Sequence, residues 1–238
     1  MPVDINGSVI SNEVAIGLKY KDIVTRGLIV HLDASAIDSY PQTGTTWYDI
    51  STNTNNGTLN NGPTFNSANN GSIVLDGTDD DISFGNILSI NQFTFNLWVY
   101  PGSTQTIYAD IIDNNHRGGT SYVLQQNVTN TNQYTFGVGD GASGSSTDLF
   151  TLTANQWVCL TFTYNLQTKG YINGSLFSTG LTAGNPNYTG IETFRLGEWG
   201  GGGRNWNGRY GNFMAYNRAL SASEVLQNYN VQKSRFGL

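Results

Sequence analysis

Gln92-Phe93-Thr94-Phe95-Asn96-Leu97-Trp98-Val99-Tyr100-Pro101-Gly102 is the stretch from which the fold is read. Phe93, Phe95, Leu97 and Val99 alternate with other residues, and a β-strand turns alternate side chains to one face. The run is therefore a strand with an apolar inner face, and Pro101-Gly102 ends it. Downstream, residues 156–165 repeat the pattern. Val158, Leu160, Phe162 and Tyr164 share one face, with Trp157, Cys159, Thr161 and Thr163 opposite. Next comes Tyr171-Ile172-Asn173-Gly174-Ser175-Leu176-Phe177. Asn-Gly supplies the two left-handed residues of a type I′ turn, so this is a hairpin. Upstream, residues 27–33, 71–76 and 81–84 read as strands between turn residues. Further strands are expected at 107–112, 122–126, 134–138, 149–152, 193–196 and 208–216.

Only the C-terminal end carries a helical signal. Ser221-Ala222-Ser223-Glu224 fits a capping box, with Val225, Leu226 and Tyr229 giving an apolar stripe behind it. One short helix ending near Val231 is expected. Short strands at sandwich-like spacing plus one helix predict an all-β, two-sheet antiparallel jelly-roll sandwich.

Composition narrows the function. Charged residues are 12 % of the 238, about half the usual ~25 %. The formal net charge is −6, and no Lys/Arg run is present to neutralise phosphates, so no nucleic-acid partner is expected. No window approaches the ~18 apolar residues of a membrane span, so no membrane partner is expected either. Met1-Pro2-Val3-Asp4-Ile5-Asn6-Gly7 lacks the basic and apolar regions of a secretory signal. Cys159 is the single cysteine, set in an apolar run, and reads as a buried inert thiol. His31 alternates within a strand and reads as structural.

Several blocks then fall in a recognisable order: Gly27-Leu28-x-x-His31-Leu32-Asp33-Ala34, Trp47-Tyr48-Asp49-Ile50-Ser51 and Asn56-Gly57-Thr58-Leu59. Leu75-Asp76-Gly77-Thr78-Asp79-Asp80, the 93–101 strand, Trp157 and Tyr171-Ile172-Asn173-Gly174 follow. Tyr216-Asn217-Arg218-Ala219-Leu220-Ser221 closes the series. In this order they resemble the LamG-like domain of the concanavalin A-like lectin/glucanase superfamily, over about residues 27–231. The Asn/Ser/Thr/Gly-rich form with the run 219–229 is similar to virion structural proteins of tailed bacteriophages, where such a jelly roll decorates a capsid or sits on a fibre.

That resemblance implies a non-enzymatic virion protein, a capsid-decoration or fibre-type subunit located on the extracellular particle. Residues 1–26, which hold several charged groups and no strong alternation, read either as an arm docking on the major capsid or fibre protein or as a frayed terminus with one edge strand. Residues 27–231 would face outward, residues 232–238 would form a tail, and the subunits would make a homo-oligomer. A host-cell glycan is a further expected partner. The other expectation is a carbohydrate-binding lectin that is not part of a virion. Glucanases of the superfamily present Glu-x-Asp-x-x-Glu on one strand, because a glycosidic bond is cut between two carboxyl groups. Glu13, Glu192, Glu198 and Glu224 are the only glutamates and none has that spacing, so no catalytic residue and no cofactor are expected.

Related domains often bind Ca²⁺ with the loop here spanning 76–81, together with carboxylates where this chain has Gly211 and Asn212. With those charges missing, a turn whose aspartates accept backbone N–H bonds is favoured over a metal site. The candidate ligand-binding residues are Trp199, Arg204, Asn205 and Trp206 in Glu198-Trp199-Gly200-Gly201-Gly202-Gly203-Arg204-Asn205-Trp206, with His116 from another loop. Aromatic faces suit the C–H side of a sugar ring, and Arg and Asn suit its hydroxyls. Trp206 has a second reading as a core aromatic, and the loop a second reading as a protein contact.

Overall fold

A computed structural model describes residues 23–114, 119–127, 132–189 and 193–238. Two antiparallel sheets face one another. The first has eight strands. In spatial order they are Ser175–Thr182, Gln167–Ile172, Val158–Asn165, Gln92–Pro101, Asn207–Tyr216, Ser72–Asp76 and Thr64–Asn66. The eighth, Leu28–Asp33, also pairs with Asn207–Tyr216. The second sheet has nine strands. Gly144–Ser146, Gln133–Asp140, Thr120–Gln126, Asp110–Asp113, Arg195–Leu196, Asp81–Ser83, Gly57–Asn60 and Thr46–Trp47 lie side by side, and Phe150–Thr151 pairs with Gln133–Asp140.

The alternation in residues 92–101 does what the pattern requires. Phe93, Phe95, Leu97 and Val99 are wholly buried between the sheets. Phe95 stacks on Phe194 and Phe213 and meets Tyr122 of the opposite sheet. Fully burying one such ring stabilises by about 1.5–3 kcal/mol, so this layer dominates the core. Val158, Leu160, Phe162 and Tyr164 extend it by direct cross-strand pairing with Val99, Leu97, Phe95 and Phe93. Asn173 and Gly174 both have positive φ, 50° and 77°, as the hairpin turn demands.

The other face of the same strand is also buried. Thr94, Asn96 and Trp98 are closed from solvent, because the C-terminal elements roof them. Helix α1, Ala222–Gln232, starts at the expected capping box: Glu224 N–H donates to Ser221 Oγ and Ser221 N–H to the Glu224 carboxylate. Thr94 Oγ1 accepts from Leu220 N–H and donates to the Arg218 carbonyl, which fixes the approach to the helix. A 3₁₀ turn, Lys233–Phe236, follows and lays Phe236 flat on Trp98, with ring centroids 4.2 Å apart and an interplanar angle of 14°. Thus residues 233–236, which the sequence suggests are a tail, pack on the sheet.

Residues 23–26, from the end of the expected arm, join the same roof. Ile23 and Val24 are buried, Val24 N–H donates to Asn228 Oδ1, and Tyr216 Oη donates to the Val24 carbonyl. The rest of the expected arm, residues 1–22, lies outside the described residues. The roof also explains Cys159. Its thiol is buried beside Asn96 and pushed up to about 12, which makes it unreactive.

Candidate functional site

The loop between Arg195–Leu196 and Asn207–Tyr216 folds down onto the start of Asp110–Asp113. Backbone bonds brace it along its length. Gly200 N–H donates to Asp113 Oδ2 at 3.0 Å, and Gly202 N–H to the Trp199 carbonyl at 2.8 Å. Asp110 N–H donates to the Arg204 carbonyl, Thr106 Oγ1 to the Asn205 carbonyl, and Trp206 N–H to the Gly197 carbonyl. Gly202, Gly203 and Arg204 have φ of 81°, 75° and 57°. Two glycines take this left-handed run freely. Arg204 pays about 1 kcal/mol for it, and the surrounding bonds hold it there.

The result is an aromatic bracket around one cation. The Arg204 guanidinium lies 4.6 Å from the Trp199 ring centroid and 5.1 Å from that of Tyr108. Among the described residues it makes no ion pair, since the pairs formed belong to Arg195, Arg218 and Arg235. Tyr108 and Ile107 stand exposed beside it. Gly201 lies against the benzo part of Trp199, where a Cβ would come within 2.5–2.7 Å of the ring. Trp199 is therefore gripped by its own loop over much of its surface.

The other expected residues are placed differently. Asn205 is almost closed from solvent, and its Nδ2 reaches Glu198 Oε1 at 3.4 Å. Trp206 is fully buried and packs on Tyr210 with centroids 4.9 Å apart. It supports the loop from the core, so the ligand-contact role is corrected to the core role. The reason is period two: Trp206 leads into Asn207–Tyr216 on the side that faces the sandwich. His116 lies outside the described residues.

Beneath the bracket sits a residue that no sequence motif marks. Asp110 is fully buried; neither carboxylate oxygen has a partner at normal hydrogen-bond geometry, and the Gln125 side chain makes only a weak contact that favours the ion. Burial, and then the neighbouring Asp113, push its pKa up to about 9, against the pull of Arg204. Asp110 is thus protonated at neutral pH. Glu198 is also raised, chiefly by burial, and is tied to Asn205 and to Arg195, 3.8 Å away.

In the acidic loop, Asp76, Asp79 and Asp80 bring one carboxylate oxygen each within 4.8 Å of one another. Asp76 Oδ1 accepts from Thr78 N–H and Asp80 Oδ2 from Asp76 N–H, as a turn would have it. Three carboxylates are a donor type that suits a hard cation. Gly211 and Asn212 do not complete the set. Asp76 pairs with Asn207, so Gly211 is four residues further along the strand, roughly 13 Å away. Phe236 fills the space over Gly211 instead, and Asn212 Nδ2 lies 3.3 Å from His31 Nε2.

Residues 76–226 match the family profile Laminin_G_3, described as the concanavalin A-like lectin/glucanases superfamily. No curated protein matches the sequence. Among solved structures, the receptor-binding domain of botulinum neurotoxin type G is 20 % identical with a TM-score of 0.62. The match covers 87 % of this chain and 51 % of that one, so the chain spans about half the length of the toxin domain. Domain 4 of the extracellular arabinanase AbnA from Geobacillus stearothermophilus, in complex with arabinotriose, is 18 % identical with a TM-score of 0.62. That match covers 88 % of this chain and all of the other. Trypanosoma rangeli sialidase in complex with sialic acid is 17 % identical with a TM-score of 0.66, over 98 % of this chain and 36 % of the sialidase. At these identities the likeness is one of fold. With more than half of its length matched by the family profile and its two sheets built as described, the chain belongs to the concanavalin A-like lectin/glucanases superfamily.

Proposed function

We propose that this protein is a non-enzymatic glycan-binding module, presented on the virion of a tailed phage as repeated subunits, with residues 198–206 as its recognition end. The observation that carries the binding role is the braced loop. It holds the Arg204 guanidinium between Trp199 and Tyr108 while leaving it unpaired among the described residues. A stacked guanidinium is already oriented before a ligand arrives, so little rotamer freedom is lost on binding. Exposed Ile107 and Tyr108 supply apolar surface for the C–H side of a sugar. The arabinanase domain of like fold, captured with arabinotriose, adds support for this class of ligand.

The non-enzymatic part rests on where the carboxyl groups are used. Glu224 caps the helix and pairs with Arg218 at 2.6 Å, and Glu198 ties down the loop. Asp110 and Asp113 are both closed from solvent. A glycosidase needs two accessible carboxyl groups flanking the bond. The virion part rests on the resemblance of the 219–229 run and on a polar surface with few charges.

The test is a glycan array on the whole protein, followed by tryptophan-fluorescence titration of each hit. Arg204→Ala is expected to lose at least tenfold in affinity while its melting curve stays close to wild type. Arrays without hits would overturn the binding role, and release of reducing ends from a bound glycan would overturn the non-enzymatic one. For the virion role, a chain lacking residues 1–22 is expected to fold and fail to join particles. Normal incorporation of that chain would refute the docking arm.

A further inference from the structure

We infer that the outer face of the eight-stranded sheet carries a second sugar site, a one-ring pocket around Arg209 that takes a pyranose bearing a carboxylate. It goes beyond the loop reading and shares with it only the general class of ligand.

Strand register builds the site. Arg209 pairs with Val74 on one side and Tyr100 on the other, so the three side chains form a row across the sheet. Trp157 continues the row, its ring centroid 5.4 Å from that of Tyr100. One step along, Trp98 lies under the roof. Phe236 reaches Trp157, at 4.6 Å between centroids, and the roof ends there. The Tyr100–Arg209 row is thus beside the edge of the roof, and above it lies a cavity of about 190 Å³. The pocket is half open to solvent and well below the roughly 300–1,000 Å³ of a drug-sized site, which suits a single ring.

The lining is chemically suited to an acidic sugar. The Arg209 guanidinium stands 4.8 Å from the Tyr100 ring centroid and, among the described residues, belongs to no ion pair. Its planar fork matches a carboxylate with two parallel hydrogen bonds. Asn207, Asn155 and Ser103 line the walls with groups that suit hydroxyls. Their backbones are held in place. Asn207 N–H donates to Gln105 Oε1, its carbonyl accepts from Gln105 Nε2 and Gly102 N–H, and Asn155 N–H donates to the Pro101 carbonyl. These bonds occupy the main chain and leave the Asn207 carboxamide for a ligand. Gly77 and Gly102 let the Asn207 side chain pack in place, since a Cβ would come 2.7 Å from its Cβ at the first and 2.2 Å from its Oδ1 at the second.

Asp76, two places from Val74, shares this face; its Oδ1 accepts from Thr78 N–H, and the Asp79 and Asp80 carboxylates lie beside it. The net charge of −6 repels long polyanions. A single carboxylate held locally is therefore a better fit than a repeating acidic polymer.

The experiment is calorimetric titration of the whole protein with matched pairs, methyl glucuronoside against methyl glucoside and methyl galacturonoside against methyl galactoside. Trp157 emission serves as a second readout. At least one acid is expected to bind tenfold or more tightly than its neutral partner. Arg209→Gln should abolish that preference, and Arg209→Lys should retain part of it, as a point charge without the fork. Equal binding of acid and neutral sugar, or no binding of either at millimolar concentration, overturns the site. Loss of the preference in Arg204→Ala, with Arg209→Gln unaffected, also overturns it and moves the acidic ligand to the loop. Array hits that depend on Arg204 alone would keep the loop reading and remove this one.

Discussion

Asp33 and Asp110 are both buried aspartates, and they stand in regions built for opposite ends. Asp33 lies under the C-terminal roof. Its Oδ1 accepts from Arg235 Nη1 at 2.6 Å and from Ser35 N–H and Oγ. Arg235 spends its other donors on the carbonyls of Asn69, Gly71 and Gly211, stapling the terminus across two strands. Asp110 lies under the glycine loop, with only a weak contact from Gln125 at its oxygens and its pKa pushed up to about 9 by burial. The roof pairs its buried carboxylate with a cation and with backbone and hydroxyl donors, which stabilises the ionised form. The loop end tolerates an unsatisfied acid beneath an unpaired arginine, an arrangement with spare hydrogen-bonding capacity rather than maximal stability.

The largest effect is expected in the roof. Trp98→Ala empties the space beneath Phe236 and Tyr229 and should cost about 3–5 kcal/mol in urea unfolding. A loss under 1 kcal/mol would mean the roof is not part of the cooperative core. Arg235→Ala leaves Asp33 buried without its cation and should cost about 3 kcal/mol. A near-neutral result would erase the contrast with Asp110.

Asp110→Asn should act in the other direction. Between the ordinary carboxylate range and about pH 9 the folded protein keeps a proton that the unfolded chain releases. Stability contributed by that proton is complete at acid pH and declines as pH rises, by at most about 1.4 kcal/mol per unit. The Asn variant, which cannot ionise, should therefore gain on wild type as pH goes from 5 to 8. Urea midpoints that differ equally at both values would show that Asp110 is already ionised. The smallest effect belongs to Trp199→Ala. Removing one side of the bracket should change stability by about 1 kcal/mol or less while weakening any loop-dependent glycan. A change as large as that of Trp98→Ala would make Trp199 a core residue.

The legible parts of the fold were those with period and length. The 92–101 and 156–165 strands, the Asn173-Gly174 turn and the Ser221–Glu224 cap each carry their own local signal. The strands Thr46–Trp47, Thr64–Asn66 and Gly144–Ser146 are too short to show alternation, and pairing with neighbours alone makes them strands. At the candidate site, residue types drew attention to Trp199 and Arg204, and the structure brings them together with Tyr108, some ninety residues earlier in the chain. Trp206 carries the same residue type as Trp199, and only burial separates their roles.

Local chemistry in the sequence therefore determined the two-sheet sandwich, its inner face and the start of its helix, because alternation and capping act between residues close in the chain. Tertiary structure alone decided that Trp98 is roofed, that Asp110 keeps its proton, and that Arg209 stands beside an open pocket. Each depends on what a distant segment covers or leaves uncovered, and solvent exclusion by such segments is not written in any short stretch of residues.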